Sequence, residues 1–293
     1  MSISAPGKMM LLGDYAVLEG SVAVVAAVNR RARGHVLAKA SGPASPVVQA
    51  VLDRAFAAGH VVPPAVEIDT STFKDATGTK LGVGSSSAVA VITAALATGK
   101  GDEETLQIAI EGHRDAAGGR GSGVDVAACF SGGVIVTKRQ PGPIEPLSTR
   151  IRGLELSVLY TGSAASTPEL VKRCQASPRW SHWMGLLKTL TDEGIEAWRA
   201  QKAASFVSVV QRYGRAMADM GHDAGVPVVT EQIDQVMRLA SARGAAAKPS
   251  GAGGGDVVVM WGPDRAVAEG VAAETGCSVV DLQVDPVGLN RKT

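Results

Sequence analysis

Lys80-Leu81-Gly82-Val83-Gly84-Ser85-Ser86-Ser87-Ala88-Val89 is the stretch from which the rest of the chain is read. Two glycines bracket Val83, three serines follow, and an apolar, alanine-rich run continues to Ala97. Glycine lets the backbone reach φ > 0 and come close to a bound group. Serine at the end of such a loop supplies a helix N-cap and free hydroxyls. The unpaired N–H groups of a first helical turn, with the helix dipole behind them, favour an anion. The stretch therefore reads as a phosphate cradle at the head of a helix. It lacks the Gly-x-x-x-x-Gly-Lys-Ser/Thr spacing of the Walker loop. Taken alone, it reads equally well as a glycine-rich turn capping a buried helix.

Two further glycine-rich turns enter small-residue or apolar segments. Gly118-Gly119-Arg120-Gly121-Ser122-Gly123-Val124-Asp125 precedes a short helix, and Lys248-Pro249-Ser250-Gly251-Ala252-Gly253-Gly254-Gly255-Asp256 precedes a strand at 257–261. Fixing a glycine costs more backbone entropy than fixing any other residue, so three such clusters suggest close backbone approach to a ligand. Each has a charged residue nearby: Lys80, Asp125, and Lys248 or Asp256. Lys8 stands on a short Pro6-Gly7 turn as a fourth candidate. Lysines beside a phosphate cradle can neutralise charge in phosphoryl transfer. An aspartate on a Gly-Ser-Gly turn can orient or deprotonate a nucleophile.

At 293 residues the chain suits one large domain or two ordinary ones, and a break is expected near 145–155, giving units 1–150 and 151–293. A hydrophobic fraction of 45% with 19% charged residues is that of a globular protein. A net charge of +1 gives no bulk attraction to nucleic acid or anionic lipid, so neither is an expected partner. Cys129, Cys174 and Cys277 lack metal-ligand spacing, and their odd number points to a reducing cytoplasm. The first residues do not read as a signal peptide, and no apolar run reaches the ~18 residues of a membrane span.

Hydrophobic periodicity predicts strands at 2–5, 22–28, 32–40, 66–70, 134–136, 154–160, 257–261 and 278–284. It predicts helices at 45–58 with Pro46 in the first turn, 89–97, and 102–117 capped by Asp102. Further helices are expected from Thr167, over 195–220, over 230–243 and over 263–275. Strands mixed with helices in this order give an α+β protein in two halves. Trp180, Trp183 and Trp198 read as packing residues, as do His113 and Cys129. Arg114 reads as an i, i+3 partner of Glu111.

The combination resembles the GHMP kinases. Pro6-Gly7-Lys8 with Gly13-Asp14-Tyr15 is similar to their first motif, 82–88 to their second and 248–256 to their third, in the same order. Within that family the pattern most resembles the phosphomevalonate kinases, through Lys80 before the serine loop, Gly112-His113-Arg114 before the aspartate turn, and the segments 161–167 and 248–250. The resemblance implies a ribosomal protein S5 domain 2-like first half and a ferredoxin-like α/β second half. It implies ATP and Mg²⁺ as cofactors, a small-molecule acceptor, 5-phosphomevalonate, and a monomer or homodimer. It assigns Lys8 and Asp125 to catalysis. Gly82, Gly84, Ser85, Ser86, Ser87, Gly251, Gly253 and Gly254 would serve the nucleotide, with Ser85 or Ser86 on the metal. Tyr15, Lys80, Ser122 and Lys248 would meet substrate. Arg114, where mevalonate kinases carry a metal-binding glutamate, argues for a substrate with an extra phosphate. Mevalonate kinase is the alternative, and a non-catalytic nucleotide- or metabolite-binding protein of the same fold the second.

Overall fold

The computed structural model describes residues 2–39, 42–75, 77–163 and 167–292. Residues 164–166 of the segment before Thr167 lie outside it. The chain divides into two units. One comprises Met1–Met9, Val25–Pro146 and Gln283–Thr293, the other Met10–Val24 and Leu147–Leu282. The switch at 146/147 is close to the expected 150/151, but Met10–Val24 groups with the later residues and Gln283–Thr293 with the earlier ones.

The first unit carries a sheet in the order β10-β1-β2-β4-β5, with β3 also paired to β2. Its strands are β1 (Ser2–Leu12), β2 (Val22–Leu37), β3 (Ala65–Asp69), β4 (Val134–Lys138), β5 (Ile144–Leu147) and β10 (Asn290–Lys292). Its helices are α1 (Pro46–Ala57), α2 (Ser85–Thr98), α3 (Glu103–Ala116) and α4 (Val124–Ser131). The expected Asp102 cap is in place, and Ser45 caps α1. Ser45 accepts the Val48 N–H at 3.4 Å, and Asp102 accepts the Thr105 N–H at 3.1 Å. Ala88, Ala90, Val91, Ile92, Ala94 and Ala95 of α2 are fully buried, which is why this helix shows no polar face in the sequence.

Two strand expectations are corrected. β1 does not stop at Pro6-Gly7 but runs on to Leu12, because a side chain at Gly7 would strike the Val83 carbonyl and its absence lets the strand pass close. The predicted strands 22–28 and 32–40 are one strand. Its polar centre stays in the sheet because Asn29 and Arg31 have partners far along the chain. Asn29 accepts from the Gln283 N–H, and Arg31 binds Asp285 at 2.7 Å and the carbonyls of Val287 and Gly288.

The second unit has an antiparallel sheet in the order β7-β8-β6-β9, from β6 (Glu155–Tyr160), β7 (Ala246–Pro249), β8 (Val257–Gly262) and β9 (Ser278–Val280). With it come α5 (Thr167–Gln175), α6 (Trp180–Arg199), α7 (Ala203–Asp223), α8 (Glu231–Ala242) and α9 (Arg265–Thr275). Ile233, Val236, Met237 and Ala240 of α8 and Ala268, Val271 and Ala272 of α9 bury one side of the sheet against Leu159, Val258 and Met260. The expected single helix 195–220 is two. Gln201 adopts φ 55° between them, and its amide donates to the Trp198 carbonyl and the Ser148 hydroxyl. Trp183 and Trp198 are buried, as packing residues should be. Among the described residues, no helix is long and apolar enough to cross a membrane.

Candidate functional site

In the first unit the sequence-distant Lys8 and Asp125 are brought together. The Lys8 ammonium lies 3.0 Å from Asp125 Oδ2, with the lysine side chain 13% exposed and the aspartate 35%. Three backbone features build this meeting. The Lys8 N–H donates to the Val83 carbonyl at 2.9 Å, which fastens β1 to the serine loop. Gly84 is left-handed at φ 80°, and a Cβ there would stand 2.7 Å from Lys8 Cγ, so the loop passes against the lysine only as glycine. Gly123, also at φ 80°, starts α4 and delivers Asp125 in its first turn.

Both helices begin on glycine without a side-chain cap. The first N–H groups of α2 therefore meet no capping side chain, while at α4 the Val124 N–H has the Ser122 hydroxyl at 3.5 Å; free first-turn N–H groups suit an anion. Ser86 is exposed and Ser85 half-buried at the head of α2, while Ser87 is 1% exposed. The Ser87 hydroxyl is packed inside, which leaves its backbone as the part that could meet a nucleotide. Gly82 is exposed, at φ 71°. Beside Ser85 and Ser86 opens a groove of about 690 Å³, with Lys80 on its wall and Val48, Leu52, Val66 and Ile68 as its apolar lining. A groove of this size and character can hold a planar base and sugar.

Ser122 is nearly buried, and its hydroxyl faces the Val124 N–H at 3.5 Å. Arg114 does not pair with Glu111, which bonds Arg54 instead. Its guanidinium donates to the carbonyls of Gly121, Ser122 and Gln140, clamping the aspartate turn from behind. Burial and the nearby Arg139 lower its proton affinity. Nε and Nη2 of Arg114 are thus spent on backbone carbonyls, which gives this residue a structural place at the aspartate turn.

His113, read from the sequence as a packing residue, lies beside the serine loop. Its Nε2 lies 3.2 Å from Ser86 Oγ. Burial lowers its pKa, with the Asp125 carboxylate raising it and the Lys8 ammonium lowering it. The Gly112-His113-Arg114 stretch is part of the family resemblance, but its spacing to Ser86 gives no sign of this contact.

The remaining candidates lie in the second unit. Lys248 is 0% exposed, and its ammonium sits 2.6 Å from Asp14 Oδ2 and donates to the Pro249 carbonyl at 2.6 Å. The Tyr213 ring lies 5.5 Å from that ammonium. Asp14 Oδ1 accepts the Gly251 N–H at 2.6 Å, and its backbone carbonyl accepts the Tyr213 hydroxyl at 2.9 Å. Desolvation lowers the Lys248 pKa and Asp14 raises it. A substrate-binding Lys248 is therefore corrected to a buried structural cation. Tyr15 is likewise buried, at φ 61°, with its hydroxyl donated to Ala252 at 2.6 Å and its ring edge-on to Trp180. Burial first, then Cys174 and Asp14, push its pKa up. A free phenol for substrate is not what the fold presents.

The glycine loop is held by its own unit. Gly251 spends its N–H on Asp14, and Gly254 donates to the Val228 carbonyl at 2.8 Å. At Gly253 any side chain would collide with that same carbonyl. The backbone of Asp256, at the end of the loop, accepts from the Thr161 N–H and donates to the Ser163 carbonyl.

The chain matches two family models, the GHMP kinases N terminal domain over residues 47–133 and the GHMP kinases C terminal over 207–279, together more than half its length. It is 25% identical to a phosphomevalonate kinase of Saccharolobus solfataricus, over 97% of each chain. It is 28% identical to a mevalonate kinase of Aeropyrum pernix, over 87% of this chain and 86% of that one. Among solved structures, Streptococcus pneumoniae phosphomevalonate kinase in complex with phosphomevalonate and AMPPNP superposes with a TM-score of 0.82 at 19% identity, over 97% and 99% of the two chains.

Proposed function

The chain belongs to the GHMP kinases, and from that premise we propose that it transfers the terminal phosphoryl group of ATP to the phosphate of 5-phosphomevalonate, giving 5-diphosphomevalonate. The observation that carries the reading is the 3.0 Å Lys8–Asp125 pair, set among two glycine-started helix N-termini. The groove beside Ser85 and Ser86 would take the nucleoside, and the head of α2 the phosphates. Lys80, exposed on that groove, is the candidate cation for substrate or nucleotide phosphate.

An oxygen of the acceptor phosphate attacks the γ-phosphorus. The bond from that phosphorus to the β,γ-bridging oxygen breaks, and ADP leaves with the electron pair. The acceptor is already anionic, so no proton has to be removed from it. Catalysis then rests on position and charge. Lys8 neutralises the migrating phosphoryl group, and Asp125 holds Lys8 in place. The hydroxyls of Ser85 and Ser86 and the Asp125 carboxylate are hard oxygen donors, which would fit a Mg²⁺ ion bound with the nucleotide. When bound, that ion screens the phosphate charge.

The acceptor is supported by the phosphomevalonate kinase relative, matched over 97% of both chains. The mevalonate kinase relative and an accessible Asp125, able to take a proton from a neutral hydroxyl, favour mevalonate as the second reading. A coupled ADP-release assay with each acceptor in turn decides between them. Turnover with phosphomevalonate is expected. Turnover with mevalonate alone would reverse the assignment, and nucleotide binding with no turnover of either acid would favour a non-catalytic protein.

A further inference from the structure

Resting on the kinase reading, we infer that His113 is a positioning residue, its Nε2 accepting the Ser86 hydroxyl proton so that the serine oxygen turns its lone pairs outward as a neutral ligand for a divalent cation carried on the nucleotide phosphates. Four elements make the arrangement. Ser86 is the second residue of α2, exposed, with a hydroxyl that has no fixed direction of its own. His113 comes from the last turn of α3, which packs on both α2 and α4. Asp125 of α4 and Lys8 of β1 are the charged groups in electrostatic reach of the ring. The charged groups α3 shares with α1 are engaged elsewhere, Arg54 with Glu111 and Asp115.

A neutral imidazole has one nitrogen free to accept. Once the serine proton is committed to that nitrogen, what Ser86 offers outward is oxygen. Mg²⁺ takes oxygen ligands in strict geometry, so a hydroxyl held in one rotamer serves it better than a freely turning one. The neighbouring Arg114 bonds the carbonyls of the aspartate turn.

The test is calorimetric binding of AMPPNP, with Mg²⁺ and with EDTA, to the wild-type chain and to H113L, H113Q, S86A and the double variant H113L/S86A. H113L is expected to weaken Mg²⁺-dependent binding by about five- to tenfold, the worth of one neutral hydrogen bond, and to leave binding in EDTA unchanged. H113Q, whose amide can still pair with the hydroxyl, should stay within about twofold of wild type. The double variant should bind no worse than S86A, since the histidine acts only through the serine. Equal Mg²⁺ dependence in H113L and wild type, or additive losses in the double variant, would overturn the inference. A wild-type chain that binds no nucleotide under either condition would instead remove the kinase reading. If H113L does not fold, H113Q and S86A carry the test: a H113Q chain as weakened as S86A sinks it.

Discussion

The ammonium of Lys248 lies 2.6 Å from the Asp14 carboxylate, and solvent reaches neither side chain. A buried ion pair of this kind is costly to break from one side, because the remaining charge is stranded in low dielectric. Lys248→Met is expected to lower unfolding free energy by about 3–5 kcal/mol. The double replacement Asp14→Leu with Lys248→Met should recover much of that loss, since two apolar groups strand no charge. Urea denaturation of both variants measures it. Equal losses in the single and double variants would show that the pair is not the source.

Lys8 and Asp125 should respond differently to removal. Lys8→Met is expected to cut kcat by about 10²–10⁴, because the ammonium neutralises charge that develops in the transition state, with little change in Tm, because Asp125, its resting partner, is partly exposed to water. With phosphomevalonate as acceptor, Asp125→Asn should lose clearly less, because that acceptor needs no base. Steady-state kinetics of the two variants read the difference. Equal collapse of both would point to a neutral hydroxyl acceptor.

At Gly84 backbone and side-chain effects can be separated. Gly84→Ala places a Cβ 2.7 Å from Lys8 Cγ at φ 80°, whereas at Gly20, at φ 82°, nothing lies within 4 Å. Both replacements should cost about 1–2 kcal/mol of left-handed strain. Only Gly84→Ala should also displace Lys8 and lower kcat, by about tenfold or more. Thermal melts and turnover rates of the pair separate the two effects.

Acid should destabilise the first unit through exposed carboxylates. The Thr105 N–H holds Asp102 below the ordinary aspartate value, and Arg54 does the same for Asp115. Hydrogen bonds from Thr77 lower Asp75. A carboxyl with a lower pKa in the folded than in the unfolded state stabilises above the unfolded value of 3.8. That contribution disappears as pH falls through the folded value. Melting temperature should therefore hold from about pH 7 to 5 and drop below about pH 4. The share due to Arg54 and Asp115 should shrink in high salt, because that pair is exposed.

The parts of this chain that could be read in advance were those governed by neighbours in sequence. Asp102 caps α3 as read, and the helices expected over 45–58 and 230–243 begin where their apolar spacing said they would. The glycine turns at 82–84 and 121–123 do head helices. Partners far along the chain were what defeated the reading. Nothing near Asn29 or Arg31 announces that residues 283–288 will satisfy them and keep the strand whole. The break at Gln201 has no glycine or proline to mark it. A lysine beside a glycine loop looks like a phosphate ligand until its burial against Asp14 is seen, and Arg114 looks like a surface cation until its three carbonyls are.

Because Met10–Val24 groups with the later unit while β10 pairs with β1 and Gly133 accepts Ala27 in the earlier one, neither unit is an uninterrupted length of polypeptide. During synthesis the earlier sheet cannot gain its last strand until residues 290–292 have left the ribosome. Until then the Ser2–Ser4 edge of β1 has no partner on that side, an opening that trigger-type chaperones or premature strand exchange between nascent chains would find.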